Sequence, residues 1–327
     1  MLNHHEYRRS RTTEERQHIL TLLDVARAYY EEGCSQAEIA TRIGYSRPTV
    51  SRLLAEARER GMVRVRIFHT LERVISLEAE LRERFNLKLC RVADPEDVAD
   101  TQASVARCAA DMLTEIMTDN VLLSISNGLA VAATVDAMPE LELPRSRVVQ
   151  MIGSIGHSDV LLDSVETCRR MSGKLGGGYH GLPVPLVVPS AAVAEELRRE
   201  EQIATTMELA ARADIALVGV GAVSRGRSGR IFDDFIDADT EEVLNESAAV
   251  GHICGHHFTR EGRHIPTPLC RRTISVAPER MRTIPYAVGV AWSAEKVAAL
   301  VGALKGHFIN CLVTDRATAL ALLAHMV

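Results

Sequence analysis

The stretch SQAEIATRIGYSRPTVSRLLAEARERG, residues 35–61, reads as two short helices joined by a tight turn. Ser35 caps the first, and Glu38, three residues on, completes a capping box that pairs two otherwise unbonded amides. Ile39, Ala40 and Ile43 face inward, with Ala40 small where two helices must approach. Gly44 supplies the turn, because a positive φ is cheap only for glycine. Ser46 caps the second helix, and Pro48 lies in its first turn, where no amide partner is lost. Val50, Leu53, Leu54 and Ala57 recur at helical spacing and form its buried stripe. The opposite face carries Arg47, Thr49, Ser51 and Arg52. This is the helix-turn-helix arrangement, whose second helix enters the DNA major groove.

Working outward, residues 16–32 repeat Ile19, Leu22, Leu23, Ala26, Tyr29 and Tyr30 at helical spacing, and Gly33 ends that helix. Gly61 stops the reader helix, and MVRVRIF, residues 62–68, alternates as a strand, half of a wing with Arg64 and Arg66 outward. Arginine bonds bidentately to guanine, and Ser or Thr reaches bases or phosphates. Arg58 and Arg60, further down the helix, suit the backbone. The candidate DNA contacts are therefore Ser46, Arg47, Thr49, Ser51, Arg52, Arg58 and Arg64. The plainer alternative is a three-helix interaction domain with a solvated basic face. The agreement of caps, turn glycine, small residue and stripe favours DNA.

The 327 residues are enough for two domains. The net charge of −5 divides into +3 for residues 1–70 and −8 for the rest. An arginine-bearing module on an acidic body suits local DNA contact and another task elsewhere. Seven scattered cysteines without a CxxC pair fit reduced thiols. No apolar run approaches the roughly 20 residues that span a bilayer, and MLNHHEYRRSRTTEERQ has no apolar h-region. A cytoplasmic protein without membrane contact is expected, and residues 1–15 are expected to be a flexible arm.

Residues 70–90 read as a helix and then a strand, with Val74, Leu77, Leu81 and Phe85 at three- and four-residue spacing. The helix either packs on its own domain or links and pairs subunits, as two-fold operators require of their readers. Beyond it, apolar strand-like runs alternate with helices. The runs are 121–126, 147–153, 183–190, 214–220, 273–277, 286–292 and 308–314, and Ser293 and Asp315 start the last two helices. Helices are expected through Met138, near 159–173 and up to Arg212. That pattern indicates a parallel sheet covered on both faces, which binds ligands at the carboxyl ends of its strands.

Ser124, Ser126, Asn127 and Gly128 close the first run and open a helix, a setting for phosphate or sugar hydroxyls. Gly153 and Ser154 follow the second run, and Gly219 and Gly221 follow DIALVGV. Each glycine alone also reads as a plain turn; as a set they favour a small polar ligand. No nucleotide fingerprint is complete: GVGAVS lacks the third glycine of GxGxxG, and GxxxxGK[ST] does not occur. Lys296 reads as a solvated lysine or as the counter-charge of a phosphate or carboxylate, and Asp233 as a loop acid or a partner of sugar hydroxyls. In HICGHHFTREGRHIPTPLC, residues 252–270, the His and Cys spacing matches no common zinc pattern. Alternation in one strand would also set Cys254 and His256 on one face and His257 on the other. No metal site, cofactor or nucleophile–base set is expected.

The chain resembles the SorC family of sugar-responsive bacterial transcriptional regulators over nearly its whole length. The resemblance rests on residues 35–67, on ADIALVGVGAV and AAVGHICGHHFTREGRHI, and on KVAALVGALKGHFINCLVTDRATALALL. It implies an effector domain with the fold shared by sugar-phosphate isomerases, glucosamine-phosphate deaminases and CoA-transferases. It also implies homodimers or homotetramers, and a sugar, polyol or phosphorylated sugar as effector. Of the family's GxSxGRT-like loop, Ser126 and Gly128 match, while Leu129 and Ala130 replace Arg and Thr. The family's AGGxxK becomes Ala291-Trp292-Ser293-Ala294-Glu295-Lys296, which keeps the lysine and loses both glycines. Trp292, the only tryptophan, suits stacking on a sugar or core packing.

The expected protein is thus of α/β class. Residues 16–68 form an N-terminal winged helix-turn-helix domain, 69–89 a linker or oligomerisation helix, and 90–327 a larger parallel-sheet effector domain. Its expected role is to bind double-stranded operator DNA of a carbohydrate catabolic operon under control of a small carbohydrate or polyol, free or phosphorylated. It is not expected to be an enzyme. The alternatives are an isomerase- or deaminase-like enzyme with a DNA-binding appendage, and a constitutive DNA-binding protein with a degenerate pocket.

Overall fold

The computed structural model describes residues 4–63, 70–155, 163–224 and 231–325. The chain divides into two compact units, Met1–Phe68 and His69–Val327.

The first unit contains α1 (His4–Tyr30), α2 (Gln36–Ile43) and α3 (Arg47–Glu59). The capping box is formed: the Glu38 amide donates to Ser35 Oγ (3.3 Å) and the Ser35 amide to Glu38 Oε2 (2.8 Å). Gly44 turns the chain at φ 70°, and the Thr49 amide donates to Ser46 Oγ at 3.3 Å. Leu22, Val25, Ile39, Val50 and Ala57 interlock as the centre of a small core. Residues 4–15, where an arm is expected, continue α1, which runs unbroken from His4. The segment has neither Gly nor Pro, and its Arg and Glu residues are good helix formers. The expected wing strand falls largely on residues 64–69, outside the described residues, and Arg64 and Arg66 lie there.

The second unit opens with α4 (Thr70–Phe85), β1 (Leu89–Ala93), α5 (Thr101–Ile116), β2 (Leu122–Ile125) and α6 (Leu129–Ala137). Next come β3 (Arg147–Gln150), α7 (Ser164–Leu175), β4 (Gly178–His180), α8 (Ala191–Arg199), α9 (Glu201–Ala211), β5 (Ile215–Gly219), β6 (Gly221–Ala222) and α10 (Ala238–Glu246). A hairpin, β7 (Ala249–Ile253) and β8 (His256–Thr259), precedes β9 (His264–Ile265), α11 (Pro268–Arg272) and α12 (Pro278–Met281). The unit ends with β10 (Tyr286–Val290), α13 (Val297–Lys305), β11 (Cys311–Asp315) and α14 (Arg316–Ala324).

Seven strands form one sheet in the order β1-β11-β10-β5-β2-β3-β4, parallel throughout. Alternate residues feed its two faces, as the two-residue period of a strand requires. Leu123, Ile125, Val148, Leu217 and Val313 pack with α5, α6 and α7. Leu122, Val149, Val218 and Leu312 pack with α4, α9, α13 and α14. Leu81 of α4 is fully buried, and Val74 and Phe85 share that core. The apolar stripe of α4 therefore packs within its own unit.

Two expected strands are absent. Residues 183–190 and 273–277 run as irregular segments joined by single bridges, Ser154 with Pro185, Val187 with Thr273 and Ile152 with Ser275. Three prolines in PVPLVVPS remove the amides a central strand needs. The helical stretch to Arg212 is two helices, broken after Arg199. A second, antiparallel sheet, β6-β7-β8-β9, was not legible as such. Its hairpin turns at Cys254 and Gly255, both at positive φ (52° and 79°), so residues 252–257 are not one continuous strand. Cys254 therefore lies in the turn and does not share a strand face with His256, whereas His256 and His257, adjacent in β8, alternate as expected. Among the described residues no helix is long and apolar enough to cross a membrane.

Candidate functional site

On α3 the four core residues leave Arg47, Ser51 and Arg52 exposed, with Thr49 half-buried beside them. Among the described residues no carboxylate forms an ion pair with Arg47 or Arg52, so both guanidinium forks are available to DNA. Two expected contacts are otherwise engaged. The Ser46 hydroxyl caps its own helix and bonds Thr49 Oγ1 at 2.8 Å. Arg58 donates from Nε to the Tyr30 hydroxyl at 2.6 Å and lies over that ring, which fixes α3 against α1. Sequence reasoning passed over Tyr45, which stands exposed in the turn just ahead of α3. Its place after the turn glycine was the available signal.

In the second unit the chain runs from β2 outward to β3 and β4, then returns to place β5 on the other side of β2. Open parallel sheets bind ligands at such a reversal, beyond the carboxyl ends of the strands. A cavity of about 440 Å³ lies there, within the range of small-molecule sites. Ser126, Asn127, Gly128, Leu129 and Ala130 follow β2 into it, and Gly219, Val220, Gly221 and Ala222 follow β5. Ile231, Phe232, His252 and Cys254 form another part of its wall, and Glu295 and Lys296 another.

The polar groups in this cavity are few and specific. Asn127 is buried, and its Nδ2 has no hydrogen-bond partner. Gly128 caps α6 at φ 111°. The amides of Leu129, Ala130 and Val131 precede the first helical bond, from the Ala132 amide to Gly128 O at 2.9 Å, and have no carbonyl within the helix. Lys296 ends a short 3-10 turn, Ala294–Lys296, ahead of α13. Its Nζ lies 5.7 Å from the Trp292 ring centre, and burial pushes its pKa down. Among the described residues no carboxylate pairs with it. An unpaired ammonium near a helix N-terminus favours an anionic group. Ser293, where the family pattern has glycine, holds φ 106° with its amide bonded to Thr318 Oγ1 at 3.0 Å. The strained backbone is retained without the glycine.

Six of the ten expected ligand residues therefore converge: Ser126, Asn127, Gly128, Gly219, Gly221 and Lys296. The other four do not line the cavity. Ser124 is fully buried within β2, where strand alternation turns it into the packing. Gly153 is a close-packing glycine, since a Cβ there would lie 2.6 Å from Pro185 O. Ser154 donates to Asp163 Oδ2 at 2.8 Å and borders a separate groove of about 520 Å³. Asp233 is the neighbour of the lining residue Phe232. Trp292 packs against the core beneath Lys296.

Sequence reasoning missed Ile231, Phe232, His252 and Cys254 as cavity residues. The signal for His252 was Gly221 opposite it: a Cβ on Gly221 would lie 2.0 Å from His252 Nε2, so the close approach needs glycine. Burial pushes the Cys254 thiol up to about 12, far from a nucleophile's range. Glu295 is the only carboxylate among the described lining residues, so the cavity shows no carboxylate pair for acid–base work. The remaining ligand-competent residues disperse or gather elsewhere. His257 Nδ1 lies 3.3 Å from Thr267 Oγ1, whereas His256, His264 and Cys270 come together.

The family model described as "Putative sugar-binding domain" matches residues 69–324, and a MarR family model matches residues 21–67. The chain is 32% identical to the transcriptional regulator LsrR of Klebsiella pneumoniae subsp. pneumoniae, over 92% of this chain and 91% of that one. It is 31% identical to the deoxyribonucleoside regulator of Bacillus subtilis, over 92% and 96%. The crystal structure of the full-length sorbitol operon regulator SorC from Klebsiella pneumoniae superposes with a TM-score of 0.72 at 26% identity, covering 93% of this chain and 98% of that one. Reader helix, switch-point cavity and whole-length similarity agree: the chain belongs to the SorC family of sugar-binding transcriptional regulators.

Proposed function

We propose that this protein binds operator DNA of a carbohydrate catabolic operon through Arg47, Thr49, Ser51 and Arg52, and that a small sugar or polyol in the β2–β5 cavity sets its affinity. The observation that carries the reading is the pairing, in one cavity, of an unpartnered buried amide (Asn127) with an unpaired ammonium (Lys296). The amide suits a sugar hydroxyl or a phosphate oxygen, and the ammonium suits an anion, so the phosphorylated form of the effector is favoured. A neutral sugar or polyol is the second reading. It is favoured by Leu129 and Ala130, which present apolar surface where relatives often carry Arg and Thr.

The protein acts in the cytoplasm as a homodimer or homotetramer. One reader helix of 13 residues makes few base contacts, and paired copies on a two-fold operator multiply them. We read it as a regulator, as its relatives are named. The test is a thermal-shift panel of pentoses, hexoses and polyols with their phosphates, each matched to its unphosphorylated form. Native-state binders raise the midpoint with concentration. A phosphorylated hit is expected. A panel without any concentration-dependent shift would leave the degenerate-pocket alternative standing.

A further inference from the structure

Outside the cavity, three ligand-competent side chains from three elements meet inside the second unit: His256 of β8, His264 of β9 and Cys270 of α11. One imidazole nitrogen of each histidine and the Cys270 sulfur lie within 4.8 Å of one another. His256 and Cys270 are each only 6% exposed, and His264 is half-buried.

The hydrogen bonds around the rings fix which nitrogens are free. Ser275 Oγ donates its proton to Cys254 O at 2.8 Å. Toward His256 Nε2, 3.0 Å away, that oxygen is therefore the acceptor, so Nε2 carries the proton and Nδ1 the lone pair. His264 Nδ1 faces Glu279 Oε1 at 3.4 Å. A carboxylate only accepts, so Nδ1 carries the proton and Nε2 the lone pair. Those two lone-pair nitrogens, His256 Nδ1 and His264 Nε2, are buried without hydrogen-bond partners. Buried polar atoms are rarely left so, and each orphan costs desolvation energy. An imidazole whose protonated nitrogen is held by an oxygen while the other offers a lone pair is the arrangement of a metal ligand and its outer support.

We propose that His256, His264 and Cys270 bind one borderline-soft divalent cation of the Zn²⁺ class. An N₂S donor set suits Zn²⁺ better than the hard oxygen-seeking ions, and three protein ligands leave a fourth position for water. From ordinary Zn–N and Zn–S lengths, tetrahedral ligand atoms stand about 3.3 to 3.7 Å apart. The cluster must therefore contract slightly, by side-chain rotation, as the ion enters. Cys270 binds as the thiolate, and its proton is released to solvent. The ion clamps β8 and β9 to α11. Through His256 and Ser275, two hydrogen bonds connect it to the backbone of Cys254, a wall residue of the cavity. The spacing 256, 264, 270 hides the set in sequence, because the hairpin and the following turn assemble it.

The test is titration of the chelator-stripped full-length protein with Co²⁺, a spectroscopic stand-in for Zn²⁺. A thiolate-to-cobalt charge-transfer band saturating at one equivalent per chain, and abolished by Zn²⁺, is expected. Only a cysteine ligand gives that band, so weak binding by surface histidines does not mimic it. Cys270→Ser is expected to abolish it, and Cys34→Ser to leave it unchanged. Should Cys270→Ser not fold, His264→Gln at its half-buried position serves: an affinity at least tenfold weaker is expected. Absence of the band in the wild-type protein, its survival in Cys270→Ser, or an unchanged affinity in His264→Gln would each overturn the proposal.

Discussion

Replacing Lys296 with Met is expected to separate phosphorylated from neutral effectors. Methionine keeps the length and apolar bulk that pack on Trp292 and removes only the charge. At an effective dielectric of about 20, an anion 4 Å from the ammonium gains about 4 kcal/mol. Lost ligand hydration offsets part of that, and a hydrogen bond to a charged group nets about 1.5–3 kcal/mol. At about 1.4 kcal/mol per decade, Lys296→Met should weaken a phosphorylated sugar roughly tenfold to hundredfold. The neutral counterpart should change by less than about threefold, a few tenths of a kcal/mol. Titration calorimetry with a matched pair reads both numbers. The pH dependence has a definite sign. Burial lowers the Lys296 pKa, and the charged form is the one that binds. Affinity for the phosphate should therefore be flat between the phosphate's own second pKa, about 6, and that lowered lysine pKa, and fall as pH rises through the latter. Lys296→Arg stays charged and should remove the fall. Equal losses for the phosphorylated and neutral sugars would refute the anion role.

Arg47→Ala and Arg52→Ala should each cost about 1–3 kcal/mol of operator affinity if the residue reads a base. Both side chains are exposed, so thermal midpoints should not move; operator titration by anisotropy beside a melting curve checks this. Gly221→Ala drives a methyl against His252, and overpacking of this kind costs about 1–3 kcal/mol and should block the cavity. Gly219→Ala meets its nearest atoms only at 3.7 Å and should be nearly neutral; urea midpoints compare the two. Leu81→Ala should destabilise the second unit by about 2–5 kcal/mol and leave the first unit's melting unchanged. A loss well under about 1 kcal/mol would take α4 out of that core.

The helix-turn-helix was legible because each of its rules is local. A cap, a turn glycine and a three- and four-residue stripe sit within a few positions of one another, and Ser35, Gly44 and Ser46 act as their sequence suggests. β2, β3, β5, β10 and β11 were legible as apolar runs, since strands buried on both faces need no alternation, whereas the short, largely polar β4 was not. PVPLVVPS and TISVA were equally apolar, yet neither is a strand. Hydropathy does not register whether an amide has a neighbour to bond. The cavity was half legible. Ser126, Asn127, Gly128, Gly219 and Gly221 follow strand ends, and strand ends are where such sheets bind. His252 enters through the second sheet, whose pairing is long-range, and Phe232 packs edge-on against it. Ser124 lies two residues back from Ser126 on the same side of the strand, inside β2, where it is buried in the packing short of the strand end. The metal-competent cluster escaped because its three members belong to separate elements that only the hairpin and the next turn bring together.

Occupancy of the β2–β5 cavity is expected to change the hold of α3 on DNA. The direct measurement is the operator dissociation constant of the full-length chain, by fluorescence anisotropy, with and without a saturating effector from the panel. A shift of at least about fivefold is expected, the lower end of ordinary allosteric coupling. Reciprocity requires operator DNA to shift the effector's affinity by the same factor. An operator affinity that stays the same while calorimetry shows the cavity full would contradict it.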